Sequence, residues 1–344
     1  MTKKRITYID MAKGIGILLV LIGHSEFPST QLITWISSFH MPLFFILSGM
    51  LFSHTSATQK DWKIFLRKKA KTILLPYGVF SILSIIASAI LDFGSFPEYL
   101  WTSLLQTVSF YGISVLWFLP TLFFSESGFY FIRKYTSTRG TALTMIGVLG
   151  ISLLGNELFH RYYPVPDGYA NMFLYNLLAV LIRSGIAMTF LAIGYFLHRP
   201  FAAQKLSAGN YLILSAGFLV LNLFLGFKNG GVDLNQLVFR NYILYYLAAF
   251  CGSMFVICLC NFLPDTTPLL YMGQNSLIIM ATHMNCRFYG ACFLVGDFML
   301  RILPQAGLFG YYLVVAICMA LLEFIAITVI NRCFPFLIGK AGCR

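Results

Sequence analysis

The chain has 344 residues, of which 58% are hydrophobic and only 10% charged, and its mean hydropathy is +0.79. Soluble domains carry about 25% charged residues, so this composition excludes a soluble enzyme and describes a polytopic membrane protein. The formal net charge of +12 does not describe a nucleic-acid binder, because the basic residues lie between apolar runs, where they orient a membrane chain.

In chain order, runs near the ~20 residues that cross a bilayer occupy 6–26, 32–53, 72–92, 114–132, 141–155, 173–197, 209–227, 240–262, 267–285 and 309–332. They predict an all-α membrane helix bundle of about ten spans, one embedded unit over 1–344. Segments 94–112 and 286–303 are apolar but interrupted, and are expected to be interfacial or re-entrant. The start, MTKKRITYIDMAKG, is like a signal peptide only in its basic residues. No small-residue cleavage site follows, so it reads as a retained first span.

The loop charges give the orientation. With the N-terminus inside, the inner segments hold Lys3, Lys4 and Arg5; Lys60, Lys63, Arg67, Lys68, Lys69 and Lys71; Arg133, Lys134 and Arg139; Arg199 and Lys205; and Arg332, Lys340 and Arg344. The outer segments hold only Arg161, Lys228, Arg240, Arg287 and Arg301. This asymmetry places both termini in the cytoplasm. Trp35, Trp62 and Trp101 fall near span ends, where an aromatic belt is expected. The eight cysteines form no CxxC pair and no His/Cys metal spacing, so no metal is expected. Cys286 and Cys292 are placed for an outward disulfide that nothing requires.

The first span holds three ionisable residues, Asp10, Lys13 and His24. Insertion of Asp or Lys at the centre of a membrane helix costs roughly 2.5–3.5 kcal/mol, and such residues mark function by default. At ~100° per residue, Lys13 and His24 fall within ~20° of each other and ~16 Å apart along the axis, with Asp10 ~60° from Lys13 on the same side. Two readings of Asp10 and Lys13 stand together: a structural i, i+3 ion pair and a ligand-binding role. The topology puts His24, His40 and His283 at similar depth in the outer half, with Lys13 and Asp10 in the inner half. Histidine suits general-base work because its ordinary pKa of ~6.5 needs little tuning. Ser276 shares a face with His283. Glu126, Arg183 and Glu323 also fall inside spans, paired or cavity-lining.

The inner segment KDWKIFLRKKAKTILLPY holds six basic residues within twelve positions, Lys60 to Lys71. It is topogenic charge, a landing site for a phosphate-rich anion, or both. The chain has no GxSxG elbow, no HExxH helix and no Gly-Lys-Ser/Thr phosphate loop, so hydrolase, metalloprotease and ATPase readings lose their usual support.

The order Asp, Lys, Gly-Ile-Gly, an apolar run, Gly-His and then FHMPLFFILSGMLF resembles the acyltransferase 3 family of integral membrane acyltransferases. Within it, the chain looks like the branch of fucose 4-O-acetylase-type sugar O-acetyltransferases. FLRKKAKTILLPY, LWFLPTLFF at 116–124, GQNSLIIMATHM at 273–284 and FPFLIGK continue the resemblance over nearly the whole chain. It implies transfer of acetyl from acetyl-CoA, the acyl donor, to a carbohydrate hydroxyl at a multi-pass, bacterial cytoplasmic membrane. The basic residue and histidine that the family separates by ten residues fall on Lys13 and His24, the essential residue being His24. The basic position is often arginine, which grips phosphate bidentately where lysine does not. Ser48-Gly49 match a Ser-Gly element, and His283 a recurring late histidine. The resemblance thus implies a catalytic set of His24, Lys13 and Asp10. Acceptor contacts fall at His40, Ser48, Trp117, Ser276 and His283, and donor contacts at Lys13, Arg67, Lys68 and Lys71. Two other functions fit the same composition: a secondary transporter using buried Asp, Lys and His as a relay, and a noncatalytic partner of envelope-glycan assembly. Transporters often show two related halves, and none is evident here.

Overall fold

The computed structural model describes residues 5–26, 29–91, 96–163, 168–203 and 206–340. Lys3, Lys4, Lys205 and Arg344 of the inner basic set lie outside them. The helices, in order, are α1 (Thr7–His24), α2 (Thr30–Ser37), α3 (His40–His54), α4 (Trp62–Lys69), α5 (Leu75–Leu91), α6 (Phe96–Val108), α7 (Phe118–Tyr135), α8 (Thr138–Tyr162), α9 (Tyr169–Ala203), α10 (Ala208–Asn229), α11 (Tyr242–Phe262), α12 (Thr267–Gln274), α13 (Ser276–Thr282), α14 (Phe288–Ile302) and α15 (Gly307–Cys333). No β-strand occurs among the described residues; one isolated bridge joins Asp233 to Val238. The fold is the expected all-α bundle.

Nine helical stretches among the described residues are long and apolar enough to cross a membrane. The ninth predicted span, 267–285, is not one helix but two, α12 and α13, broken at Asn275. Breaks at membrane depth require replacement hydrogen bonds, and side-chain amides supply them. Asn275 Nδ2 donates to the Tyr271 carbonyl (2.8 Å), and Asn331 Nδ2 donates to Asn275 Oδ1 (2.8 Å). Lys340, in the closing FPFLIGK segment, donates in turn to Asn331 Oδ1 (2.6 Å).

The second span is also interrupted, between α2 and α3. Pro42 lacks the N–H that would continue the ladder. The freed groups find Ser38, whose hydroxyl donates to Trp35 O (2.7 Å), and His40, whose Nδ1 donates to Ile36 O (2.8 Å). Asn222 on α10 braces the break, donating to Ser38 Oγ (3.1 Å) and Ala248 O (2.8 Å) and accepting from the Trp35 indole (2.8 Å). The half-buried Trp35 is therefore a structural donor at this break. The basic segment is helical: α4 runs through a π-helical turn, Ala70–Leu74, into α5.

Helices α1, α3, α7, α9 and α11 form the interior, α3 packing along α9 and α1 along α12. Gly14 of α1 and Gly273 of α12 allow that second contact. A Cβ on Gly14 would strike the Leu269 carbonyl, and one on Gly273 the Asp10 carbonyl. Small residues at crossings are how membrane helices approach closely. α8 and α10 turn most of their apolar surface outward, as at Ile146, Ile151, Ile213 and Phe224. Helices α6 and α14, of 13 and 15 residues, are shorter than the ~20 residues that span a bilayer. Cys286 and Cys292 are free thiols.

Candidate active site

Lys13, Ile17, Val20 and His24 recur at helical spacing along one face of α1, and that face lines a cavity of about 500 Å³. The α2–α3 break contributes Ile36, Ser37, His40, Phe44 and Ser48. The turn before α7 brings Ser114 and Trp117, the loop between α10 and α11 brings Asp233 and Asn235, and α13 brings Ser276 and Met280. Six residues expected at the site (Lys13, His24, His40, Ser48, Trp117 and Ser276) therefore share one wall, although they come from four separate stretches of chain.

Five other expected residues lie elsewhere. Asp10 is not in the wall, and no ion pair joins it to Lys13 among the described residues. Its carboxylate lies 3.9 Å from Arg5 Nε, which corrects the i, i+3 pairing. Asp10 sits in the first turn of α1, where a negative charge offsets the helix dipole. Arg67, Lys68 and Lys71 project from the exposed side of α4 and the π-turn, and only Ile73 of that turn reaches the cavity. Their neighbour Lys69 instead turns inward and pairs with buried Glu126 on α7 (2.5 Å).

His283 stands behind the wall. It is fully buried, with its ring centre 5.4 Å from that of His24. Its Nδ1 lies 2.7 Å from the Ile279 carbonyl. A carbonyl only accepts, so Nδ1 carries the proton and Nε2 holds a lone pair. That Nε2 is buried without a hydrogen-bond partner. His40 is held the same way through Ile36 O. Three imidazoles thus gather at the His24 end of the cavity, two of them with their tautomer set by the backbone. Tyr289, whose hydroxyl donates to the Leu21 carbonyl, packs against His283 and ties the segment after α13 to α1.

The buried acids and the buried arginine do not pair with one another. Glu323 accepts from the Thr282 hydroxyl (2.9 and 3.0 Å). Arg183, fully buried on α9, joins three segments that flank the cavity. Its Nε donates to Thr121 Oγ1 (2.9 Å), one terminal nitrogen to Asn235 Oδ1 (2.5 Å) and Asn235 O (3.3 Å), and the other to Tyr111 O (2.9 Å). Its guanidinium also lies over the rings of Tyr111 and Trp117, 5.2 and 4.9 Å from their centres. Thr121 passes the chain on to the Trp117 carbonyl (2.8 Å).

A second, more open cavity of about 730 Å³ shares Ile33, Ser37, Val232 and Asp233 with the first. Asp233 and Asn235 escaped the sequence reading, because a lone acid or amide in a loop has no periodicity. Among the described residues, no three His, Cys, Asp or Glu side chains gather as metal ligands would.

The family model described as an acyltransferase domain matches residues 6–338. No curated protein and no solved structure shows significant similarity to the chain.

Proposed function

The chain belongs to the acyltransferase 3 family, and from that premise we propose that this membrane acyltransferase moves acetyl from acetyl-CoA to a hydroxyl of a cell-surface carbohydrate or its precursor. The observation that carries the reading is the single cavity with Lys13 toward one end and His24 toward the other. Loop charge supports Lys13 as the cytoplasmic end and His24 as the extracytoplasmic end. Acetyl-CoA is an anionic cytoplasmic thioester. Lys13, which has no ion-pair partner among the described residues, and the exposed Arg67, Lys68 and Lys71 offer its phosphates charge. Its narrow pantetheine arm follows the stripe, and its thioester reaches the histidines.

At that end, His24 Nε2 or Nδ1 takes the proton of the acceptor hydroxyl as the oxygen attacks the acetyl carbonyl. The C–S bond breaks, and the imidazolium returns the proton to the departing thiolate. A two-step route through an acetyl-imidazole balances equally, with His24 displacing the thiolate and the sugar hydroxyl then displacing His24. General acid–base work of this kind is worth typically 10²–10⁴-fold. The buried lone pair of His283 fits a role in orienting His24, and Ser48, Trp117 and Ser276 line the path. Family membership favours group transfer over the transporter and noncatalytic readings.

The test is acetyl transfer from labelled acetyl-CoA in membranes carrying wild type or His24→Ala. The expected result is incorporation into carbohydrate that His24→Ala abolishes. Equal incorporation by both removes His24 from the mechanism.

A further inference from the structure

The second cavity is not explained by the donor path. Its polar wall consists of Ser29, Thr30, Thr34, Ser37, Asp233 and Gln236, and among the described residues no lysine or arginine lines it. It meets the deep cavity at Ser37 and Asp233, so whatever fills it presents a group toward His24.

We propose that this outer cavity is the acceptor subsite, and that Asp233 makes it select an uncharged sugar residue, one offering hydroxyls and bearing no carboxylate, sulfate or phosphate. The proposal rests on the acetyltransferase reading above. Asp233 Oδ1 accepts the Gln236 N–H (3.0 Å), whereas its second oxygen accepts no hydrogen bond from a described residue. A carboxylate oxygen of this kind takes a sugar hydroxyl well. It opposes a second anion, and a unit charge held ~6 Å away in a half-solvated mouth is disfavoured by about tenfold. The N-terminal turn of α2 gives little counterweight, since the Ser29 hydroxyl already caps it through the Leu32 N–H (3.2 Å).

The mouth is built rather than a passing loop conformation. Asp233 and Val238 exchange backbone hydrogen bonds (3.0 and 2.8 Å). The Leu237 carbonyl accepts from Asn156 (3.2 Å) and His160 (3.0 Å), and Arg183 holds Asn235 from beneath. The carboxylate is thus carried on a loop fixed to α8 and α9.

Two measurements on the full chain in membranes test this. In Thr34→Cys, the rates of modification by anionic and neutral methanethiosulfonates are compared, after subtracting the reaction of the parent protein's own cysteines. The anionic reagent is expected to react about tenfold more slowly, and Asp233→Asn should bring the two rates within about twofold. Asp233→Asn must leave the neutral rate unchanged, which also shows that the mouth stays folded. Equal rates with Asp233 intact, or a ratio that ignores Asp233→Asn, overturn the selection. In the second measurement, carbohydrate extracted from the producing cells is acetylated with labelled acetyl-CoA, and the acetyl-bearing residue is identified by mass spectrometry. A neutral residue supports the proposal, and an anionic one overturns it. Absence of any labelled carbohydrate with wild type defeats the acetyltransferase reading itself, whatever the thiol rates show.

Discussion

The two ends of the α1 stripe are built in opposite ways. At the His24 end, side chains from α1, the α2–α3 break, the turn before α7, the α10–α11 loop and α13 converge, and hydrogen bonds fix the orientation of His40, Asp233, Asn235 and, behind the wall, His283. At the Lys13 end, Arg67, Lys68 and Lys71 stand exposed, and of their basic segment Lys69 turns inward to pair with Glu126. The difference matches what each task demands. Moving a proton to or from a reacting oxygen requires donor and acceptor within hydrogen-bond reach. Gathering a polyanion requires only a field, which solvated and mobile charges supply. Changes at the outer end should therefore act on turnover and stability, and changes at the inner end on donor affinity and its salt dependence.

The largest effect that sharpens this contrast is expected for His24→Ala, with kcat lower by about 10³-fold and acetyl-CoA binding retained, checked by turnover and by equilibrium binding in the same detergent preparation. Arg183→Lys should come next. It keeps the charge but cannot reach Thr121, Asn235 and Tyr111 together. Loss of buried hydrogen bonds costs about 1–3 kcal/mol per group left unpaired, so a lower melting temperature is expected together with roughly tenfold lower kcat and an unchanged KM for acetyl-CoA. A rise in that KM with kcat preserved would blur the two ends into one.

Much of this was legible in the sequence, and the limits have physical causes. The Lys13–His24 face follows from helical period alone, and the structure keeps it. Ser48, Trp117 and Ser276 were placed by ordered motifs and do meet in one cavity. The breaks at 38–39 and at Asn275 were not legible, because apolar residues flank both and the groups that satisfy them, Asn222 and Asn331, come from distant helices. Arg183 was visible as a charge in a span, but its acceptors lie 52 to 72 residues away. Asp10 was misassigned because the i, i+3 rule names a possible neighbour and does not weigh a competitor; Arg5, just outside the helix, is the one that pairs.

At the inner end the effects should be smaller and of a different kind. Lys13→Ala is expected to raise the KM for acetyl-CoA about tenfold with little change in kcat, and Lys13→Arg to restore or lower it, since a guanidinium grips phosphate bidentately. A loss of kcat in Lys13→Ala at saturating donor would place lysine among the reacting groups and break the division. The triple change Arg67→Gln, Lys68→Gln, Lys71→Gln should raise the same KM only about threefold at low salt. Exposed charges are screened over ~8 Å at physiological ionic strength, so the difference from wild type should vanish in ~0.5 M salt.

Asp10→Asn is the mildest of these changes and the most direct check on the corrected pairing. If Asp10 held Lys13 in place, its amide would free the lysine and move the donor KM as Lys13→Ala does. The geometry instead gives its partner as Arg5, whose side chain is 67% exposed, and exposed pairs are worth about 0–1 kcal/mol. What Asp10→Asn loses is that pair and a favourable charge in the first turn of α1, the latter worth about 0.3–1 kcal/mol. The expected outcome is a melting temperature lower by a few degrees at most and a donor KM within about twofold of wild type. Both follow from the first turn of α1 acting as an anchor for the helix rather than as part of the cavity it carries.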